Sequence, residues 1–253
     1  MRTLLAPLAG FGFLTVIPVP MVGTLPAGAL GWAVASFPLV GACLGGVAAG
    51  ADRLLSLWLP PSVVSALLLS LLLAFTGAMH LDGFMDSFDG LFGGRNRERR
   101  QEIMKDSRVG SYGIAAAGSL LLTEYGCLVA LPSGPRLLAL IAAISLSRWA
   151  MAIVLWAFAP ASEKGLAAWL KPGIRACHAV VCTLLAGVIG VCCLGWMGLV
   201  ALGAAGLVAF LAGCVARSRL GGITGDICGG AGQLVEVVVL VLAVGWTASG
   251  GVG

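Results

Sequence analysis

Charge is scarce in this chain. Aspartate, glutamate, lysine and arginine make up only 10% of its 253 residues while 59% are hydrophobic, against roughly one quarter charged in soluble globular domains. So little charge excludes a soluble domain and requires lipid around the chain. Also missing is any long basic run interleaved with aromatics, and the net charge is only +4, which excludes nucleic acid as a partner. The eight cysteines, Cys43, Cys127, Cys177, Cys182, Cys192, Cys193, Cys214 and Cys228, form no C-x-x-C pair and lie mostly in apolar runs. They read as small buried hydrophobes, not as a metal site or disulfide framework. No soluble domain, linker, low-complexity segment or internal repeat is visible, so residues 1–253 read as one domain. Pro18 and Pro20 stand where a small-residue cleavage site would fall, so the apolar N-terminus is not read as a cleaved signal peptide.

Apolar runs are abundant. Stretches of about the length needed to cross a bilayer fall near residues 30–50, 62–79, 112–131, 137–159, 178–195, 196–215 and 234–248, with only Gly195 separating the fifth and sixth. The run Leu4 to Val19 is interrupted by Gly10, Gly12 and Pro18, which suits a short interfacial or re-entrant helix. The fold class is therefore all-α, a polytopic membrane helix bundle of about seven transmembrane helices plus that short N-terminal helix. The 38 glycines are dispersed through these runs, where small residues let helices approach closely.

If the spans alternate, one side receives Arg2, Arg95, Arg97, Arg99, Arg100, Lys105, Arg108, Lys164, Lys171, Arg175, Arg217 and Arg219, and the other only Arg53 and Arg136. The positive-inside rule then puts the N-terminus and the segments 80–111, 160–177 and 216–233 in the cytoplasm. Three groups of polar residues share that face.

The first is H-L-D-G-F-M-D-S-F-D, His80 to Asp89. Asp82, Asp86 and Asp89 recur at i, i+4 and i+7, so a helix would stack them on one face. Like charges so arranged need a counter-charge, and a hard divalent cation with oxygen ligands is the simplest. His80 could ligate metal or accept a proton, and a carboxylate of the cluster competes for the second role. His178, the other histidine, reads as an interfacial residue at the start of a span.

The second group runs from Gly93 to Gly113. Arg95 to Arg100 has the pattern of a solvated amphipathic helix, and Arg97→Ala is expected to change little. In Lys105-Asp106-Ser107-Arg108, followed by Gly110 and Gly113, the glycines would let the backbone turn close to a ligand. Lys105 and Arg108 are phosphate-clamp candidates with Asp106 beside them.

The third is G-G-I-T-G-D-I-C-G-G-A-G, Gly221 to Gly232. A glycine-rich loop can turn backbone N–H groups toward phosphate, which marks Gly225. Asp226 could complete a metal site or orient a ribose, with Glu236 behind it. Deeper in the spans, Glu124 and Arg148 fall at similar depth and are expected to pair, although Arg148 could instead reach substrate.

Taken together, T-G-A-M-H-L-D-G-F-M-D-S-F-D-G-L-F-G-G, E-I-M-K-D-S-R-V-G-S-Y-G and G-G-I-T-G-D-I-C-G-G-A resemble the cobalamin synthase family, the adenosylcobinamide-GDP ribazoletransferases. Secondary matches reach F-L-T-V-I-P-V-P at Phe13 to Pro20, F-P-L-V-G at Phe37 to Gly41 and S-R-W at Ser147 to Trp149. The resemblance implies a magnesium-dependent enzyme of a prokaryotic inner membrane that joins adenosylcobinamide-GDP to α-ribazole or its 5'-phosphate and releases GMP. Asp82, Asp86, Asp89 and Asp226 would hold Mg2+, and Lys105 and Arg108 would contact phosphates. His80 or a carboxylate would take the hydroxyl proton. Partners would be these small molecules and membrane lipid, with a homo-oligomer or other cobalamin-assembly enzymes left open. Phe84, Met85 and Phe88 are bulkier than the family's small-residue versions, which could alter packing beside the metal.

Two other classes fit the motifs less well. A CDP-alcohol phosphotransferase needs D-G-x-x-A-R, but Asp86 and Ser87 occupy the Ala-Arg positions. An ion-coupled transporter would hold its carboxylates near the midplane, whereas these cluster at an expected membrane edge beside an arginine-rich segment.

Overall fold

The computed structural model describes residues 6–19 and 25–251. Arg2, Leu4 and Pro20 lie outside the described residues. Among those described are twelve α-helices: α1 Ala6–Leu14, α2 Ala27–Ala35, α3 Phe37–Leu55, α4 Pro61–Thr76, α5 Met79–Gly93, α6 Arg97–Ile103, α7 Ser111–Ala130, α8 Ser133–Ala157, α9 Leu166–Leu170, α10 Ala176–Leu194, α11 Met197–Leu220 and α12 Gly225–Ala248. Helix is the expected outcome, because only it satisfies every backbone group within one segment when water is absent. Prolines mark several starts: Pro26, Pro60 and Pro132 precede α2, α4 and α8, where a missing N–H costs nothing.

Among the described residues six helical stretches are long and apolar enough to cross a membrane: 28–55, α7, α8, α10, α11 and α12. Helices α4 and α5 together make a seventh candidate but are bent by 89°, and we read α4 as the crossing segment and α5 as lying outside it. The expected count of about seven agrees. Gly195, at φ +58°, does separate α10 from α11. The segment 80–111 is not a simple loop, since it holds α5 and α6.

Helix α8 is the hub. It packs most extensively on α3, then on α12, α10 and α11, and Ala139, Ala142, Ala143, Ile144 and Leu146 on it are fully buried. Glycine makes the α3 contact possible: a Cβ on Gly41 would stand 2.5 Å from the Ile144 carbonyl oxygen, and one on Gly45 2.6 Å from Ile141 Cα. Outer faces are apolar as well, with Leu184, Val188, Leu207 and Phe210 more than half exposed, as a lipid-facing surface requires.

At the far end of the α3–α8 pair, Arg136 meets Asp52 at 2.7 Å, each 1% exposed. Arg136 also donates to the Leu128 carbonyl at 3.3 Å and Ser56 Oγ at 3.4 Å. Breaking such a pair leaves a bare charge in a low-dielectric interior, whereas replacing both members removes the problem. Arg136→Met should therefore destabilise the detergent-solubilised protein by about 3–5 kcal/mol, read from denaturant or thermal unfolding. Asp52→Leu combined with Arg136→Met should recover most of the loss.

Candidate active site

The site begins at the corner between α4 and α5. Gly77 and Ala78 both take left-handed backbone conformations, φ +59° and +55°, and two in succession turn the chain sharply enough to send α5 off at a right angle. Glycine adopts this freely, while an alanine there costs about 1–2 kcal/mol. The Val16 N–H donates to the Phe75 carbonyl at 2.8 Å, which ties the tail of α1 to this corner.

Helix α5 then crosses α12 at nearly backbone contact. A Cβ on Gly83 would lie 2.8 Å from Asp226 Cα, one on Gly229 3.3 Å from His80 Cα, and one on Gly230 3.3 Å from Phe84 Cα. Gly225 to Gly232 are thus the first two turns of α12, not a phosphate-cradling loop, which shrinks to residues 221–224. Thr224 caps the helix, its Oγ1 accepting from the Ile227 N–H at 3.2 Å. The chain before it is held by a short parallel bridge in which Ala161 N–H donates to the Ile223 carbonyl at 2.8 Å and Ile223 N–H to the Ala159 carbonyl at 2.9 Å.

This crossing opens onto a cavity of about 660 Å3. Asp82, Lys105, Gly225 and Asp226, from all three polar groups of the sequence, line it, and so does His80. Asp86, one turn beyond Asp82, is half-buried; its carboxyl is pushed up to about 6 by that burial and then by the charges of Asp82, Asp226 and Asp89. Asp82, Asp86 and Asp226 are therefore near neighbours, and none of them has a salt-bridge partner among the described residues. No three His, Cys, Asp or Glu side chains among the described residues close up as a ready-made cage. A set of nearby hard carboxylate oxygens nevertheless suits magnesium, which keeps water ligands and binds through one or two carboxylates plus substrate phosphates. His80 is 3% exposed, and both its ring nitrogens lack a hydrogen-bond partner among the described residues. Burial, then the nearby Arg148 charge, holds it well below its ordinary value, so the ring is neutral near pH 7.

Asp89 is placed otherwise than the spacing suggested. Its two carboxylate oxygens accept from the Gly110 N–H at 2.7 Å and the Gly113 N–H at 2.9 Å, so it caps the N-terminus of α7 from outside, where a negative charge is favoured. Gly110 and Gly113 serve this carboxylate: a Cβ on either would stand within 2.5 Å of an Asp89 oxygen. The proposed ligand-facing turn is a helix cap.

Two basic candidates also differ from expectation. Arg108 is exposed and forked onto Asp106, Nε to Oδ1 at 3.0 Å and Nη2 to Oδ2 at 2.7 Å, and neither lines the cavity. Arg148 is 3% exposed on α8 and lies 3.9 Å from Glu236, beside a small void of about 20 Å3 that Glu124 also lines. Its ion-pair partner is thus Glu236 of α12, and neither residue attends Asp226 or the cavity. Arg97 is not a bystander either: it donates to the Ala161 carbonyl at 3.1 Å, and Gln101 to the Leu220 carbonyl at 3.0 Å, pinning α6 over the end of α11. His178 accepts from the Arg175 N–H at 3.0 Å as part of the α10 cap.

Phe84 packs against Gly230, while Phe88, Phe92 and Tyr112 continue an aromatic row along a groove toward α7. The bulky residues of the acidic motif therefore occupy another flank of α5 from Asp82. Sequence reasoning missed Lys164 and the apolar lining from Phe13 and Phe37; the signal was available, since both aromatics lie in the secondary family matches.

The family described as cobalamin-5-phosphate synthase matches residues 6–244. The chain is 34% identical over 232 residues to the adenosylcobinamide-GDP ribazoletransferase of Geotalea daltonii, covering 92% of this chain and 94% of that one. It is 39% identical to the protein of that name from Herpetosiphon aurantiacus (91% and 92% covered) and 32% identical to that from Escherichia coli O157:H7 (92% and 96%). No solved structure matches.

The carboxylate cluster has a measurable pH signature. Asp86, raised from 3.8 to about 6 in the fold, favours folding most at pH below its unfolded value, and that contribution is lost as pH rises through about 6. In divalent-free detergent solution the unfolding midpoint should fall across this interval. Asp82→Asn removes one raising charge and should move the inflection lower.

Proposed function

The chain belongs to the cobalamin-5-phosphate synthase family, and on that footing we propose that it joins adenosylcobinamide-GDP to α-ribazole or its 5'-phosphate, releasing GMP. Adenosylcobalamin or its 5'-phosphate is then the product. The observation that carries this reading is the meeting of Asp82, Lys105 and Asp226, from three separated motifs, on one cavity. Neither a CDP-alcohol phosphotransferase nor a transporter accounts for a family match along nearly the whole chain.

A hydroxyl of the ribazole ribose attacks the phosphorus bonded to the cobinamide arm, and the bond from that phosphorus to the oxygen bridging toward GMP breaks. Asp82, Asp86 and Asp226 would hold magnesium, which when bound offsets charge on the diphosphate oxygens and the departing GMP. Asp89, bound to the start of α7, keeps α5 in register beneath them. Lys105 and Lys164, on the cavity wall, draw in the diphosphate as point charges, and the first-turn N–H groups of α12 around Gly225 add partial positive charge. The hydroxyl proton passes to Asp86 or His80. Burial beside Arg148 weakens His80 as a base, which favours a carboxylate of the cluster as the proton acceptor. Arg108 joins the phosphate contacts only by leaving Asp106.

The basic loops support an orientation with this cavity facing the cytoplasm of a prokaryotic inner membrane. Purified protein in liposomes, given both substrates and magnesium, should form the corrinoid product and GMP, and excess chelator should abolish turnover. Asp82→Asn should lower the rate by at least about two orders of magnitude, the scale for losing a major electrostatic contributor. Absence of product from folded protein, or Asp82→Asn equal to the parent, would overturn the reading.

A further inference from the structure

The cavity has two chemically distinct walls. Asp82, Lys105, Lys164, Thr224, Gly225 and Asp226 form one; the other comes from different helices, with Phe13 and Leu14 of α1, Phe37 of α3, Met151 and Leu155 of α8 and Leu170 of α9. Those six are between 1% and 8% exposed, so the apolar wall is part of the protein core. His80 also faces this space, with both ring nitrogens unpartnered. It stands beside Gly229, whereas Asp226 stands beside Gly83, one turn nearer the start of α12. Farther along α12, Gly230 meets Phe84 and Gly232 meets Met151 of the apolar wall, so α12 passes from the carboxylates and the imidazole toward that wall.

Size and chemistry together select an occupant. A volume of about 660 Å3 falls in the range that encloses one drug-sized molecule. One substrate is a whole corrin macrocycle carrying a nucleoside diphosphate, and the other is a single nucleoside or its phosphate. A guanine base would leave several donors and acceptors unpaired against an apolar wall, and each unpaired polar group out of water is costly. The dimethylbenzimidazole base of α-ribazole has one ring-nitrogen acceptor and otherwise apolar surface. Resting on the function proposed above, we propose that the apolar wall is the seat of the aromatic base of the nucleoside acceptor, with a ring N–H of the buried, unpartnered His80 donating to its ring nitrogen. The ribose then lies toward Asp82 and Asp226, while the corrin ring stays outside the mouth and extends only its diphosphate arm inward. The apolar wall is thereby the specificity determinant for the lower base of the product.

Leu155 tests this, because it lines the wall without belonging to the proposed carboxylate and phosphate machinery. Leu155→Trp should raise KM for α-ribazole about tenfold or more and change KM for adenosylcobinamide-GDP by less than about twofold, the scale of a filled apolar subsite. Leu155→Ala, which relieves rather than crowds the wall, should improve kcat/KM for a riboside whose base carries one additional fused ring, relative to α-ribazole. That variant keeps the question answerable if the tryptophan variant does not fold. A rise confined to the corrinoid KM, or equal rises for both substrates, would overturn the assignment. An unchanged ribazole KM in Leu155→Trp, or an unchanged base preference in Leu155→Ala, would also overturn it and give the wall to a lipid chain. Lack of turnover by the parent protein would instead count against the reaction itself. Saturable binding of α-ribazole to the parent without corrinoid, weakened in Leu155→Trp, is expected whether or not turnover is seen.

Discussion

The near-contact of α5 and α12 is the constraint on which the site depends. Two helix backbones can come this close only where side chains are missing from the interface, and Gly83, Gly229 and Gly230 supply that gap. The approach sets Asp226 against the helix that carries Asp82 and Asp86, and it buries His80. A methyl group at Gly83 would meet the backbone of Asp226 at 2.8 Å, so the helices would have to part and the carboxylates with them. Small residues commonly drive helix association in membranes; here the same device assembles a polar site.

Around that seam, most buried charge is committed elsewhere. Asp52 is taken by Arg136, Asp89 by the first turn of α7, and Glu236 faces Arg148. Each arrangement lowers the cost of a carboxylate away from bulk water. Among the described residues Asp82, Asp86 and Asp226 have no such cation, and the Asp86 carboxyl, raised first by burial and then by its acidic neighbours, favours whatever brings positive charge to them. Apart from Glu124, which is buried beside the Arg148–Glu236 pair with one oxygen unpartnered among the described residues, the division between committed and uncommitted acids separates the groups that hold the bundle together from those available to a ligand.

Much of this was legible in the amino-acid sequence, for identifiable reasons. Span length and the asymmetry of basic residues sufficed to bring Asp82, Lys105 and Asp226 to one end of the bundle. The glycines around Asp226 misled, because a glycine-rich string serves a turn or a close helix crossing equally well and only the partner helix decides. Asp89 shares the helical repeat of Asp82 and Asp86, but a repeat of i, i+4, i+7 cannot tell which neighbouring backbone lies against its last member. Arg148 had two acids at accessible depth, and depth alone does not choose Glu236 over Glu124. Asp52 was overlooked because it ends an otherwise apolar run and its partner Arg136 lies far along the chain, where it served only as a marker of topology.

The cavity draws its walls from Phe13 near one end of the chain to Gly229 in the last helix. A chain emerging from the ribosome therefore has the apolar wall from α1, α3, α8 and α9 in hand before the polar side of the site can close, because α12 has still to arrive and set Asp226 beside α5. The bundle around α8 has to be stable on its own packing first, and occupancy can reward only the final step of assembly.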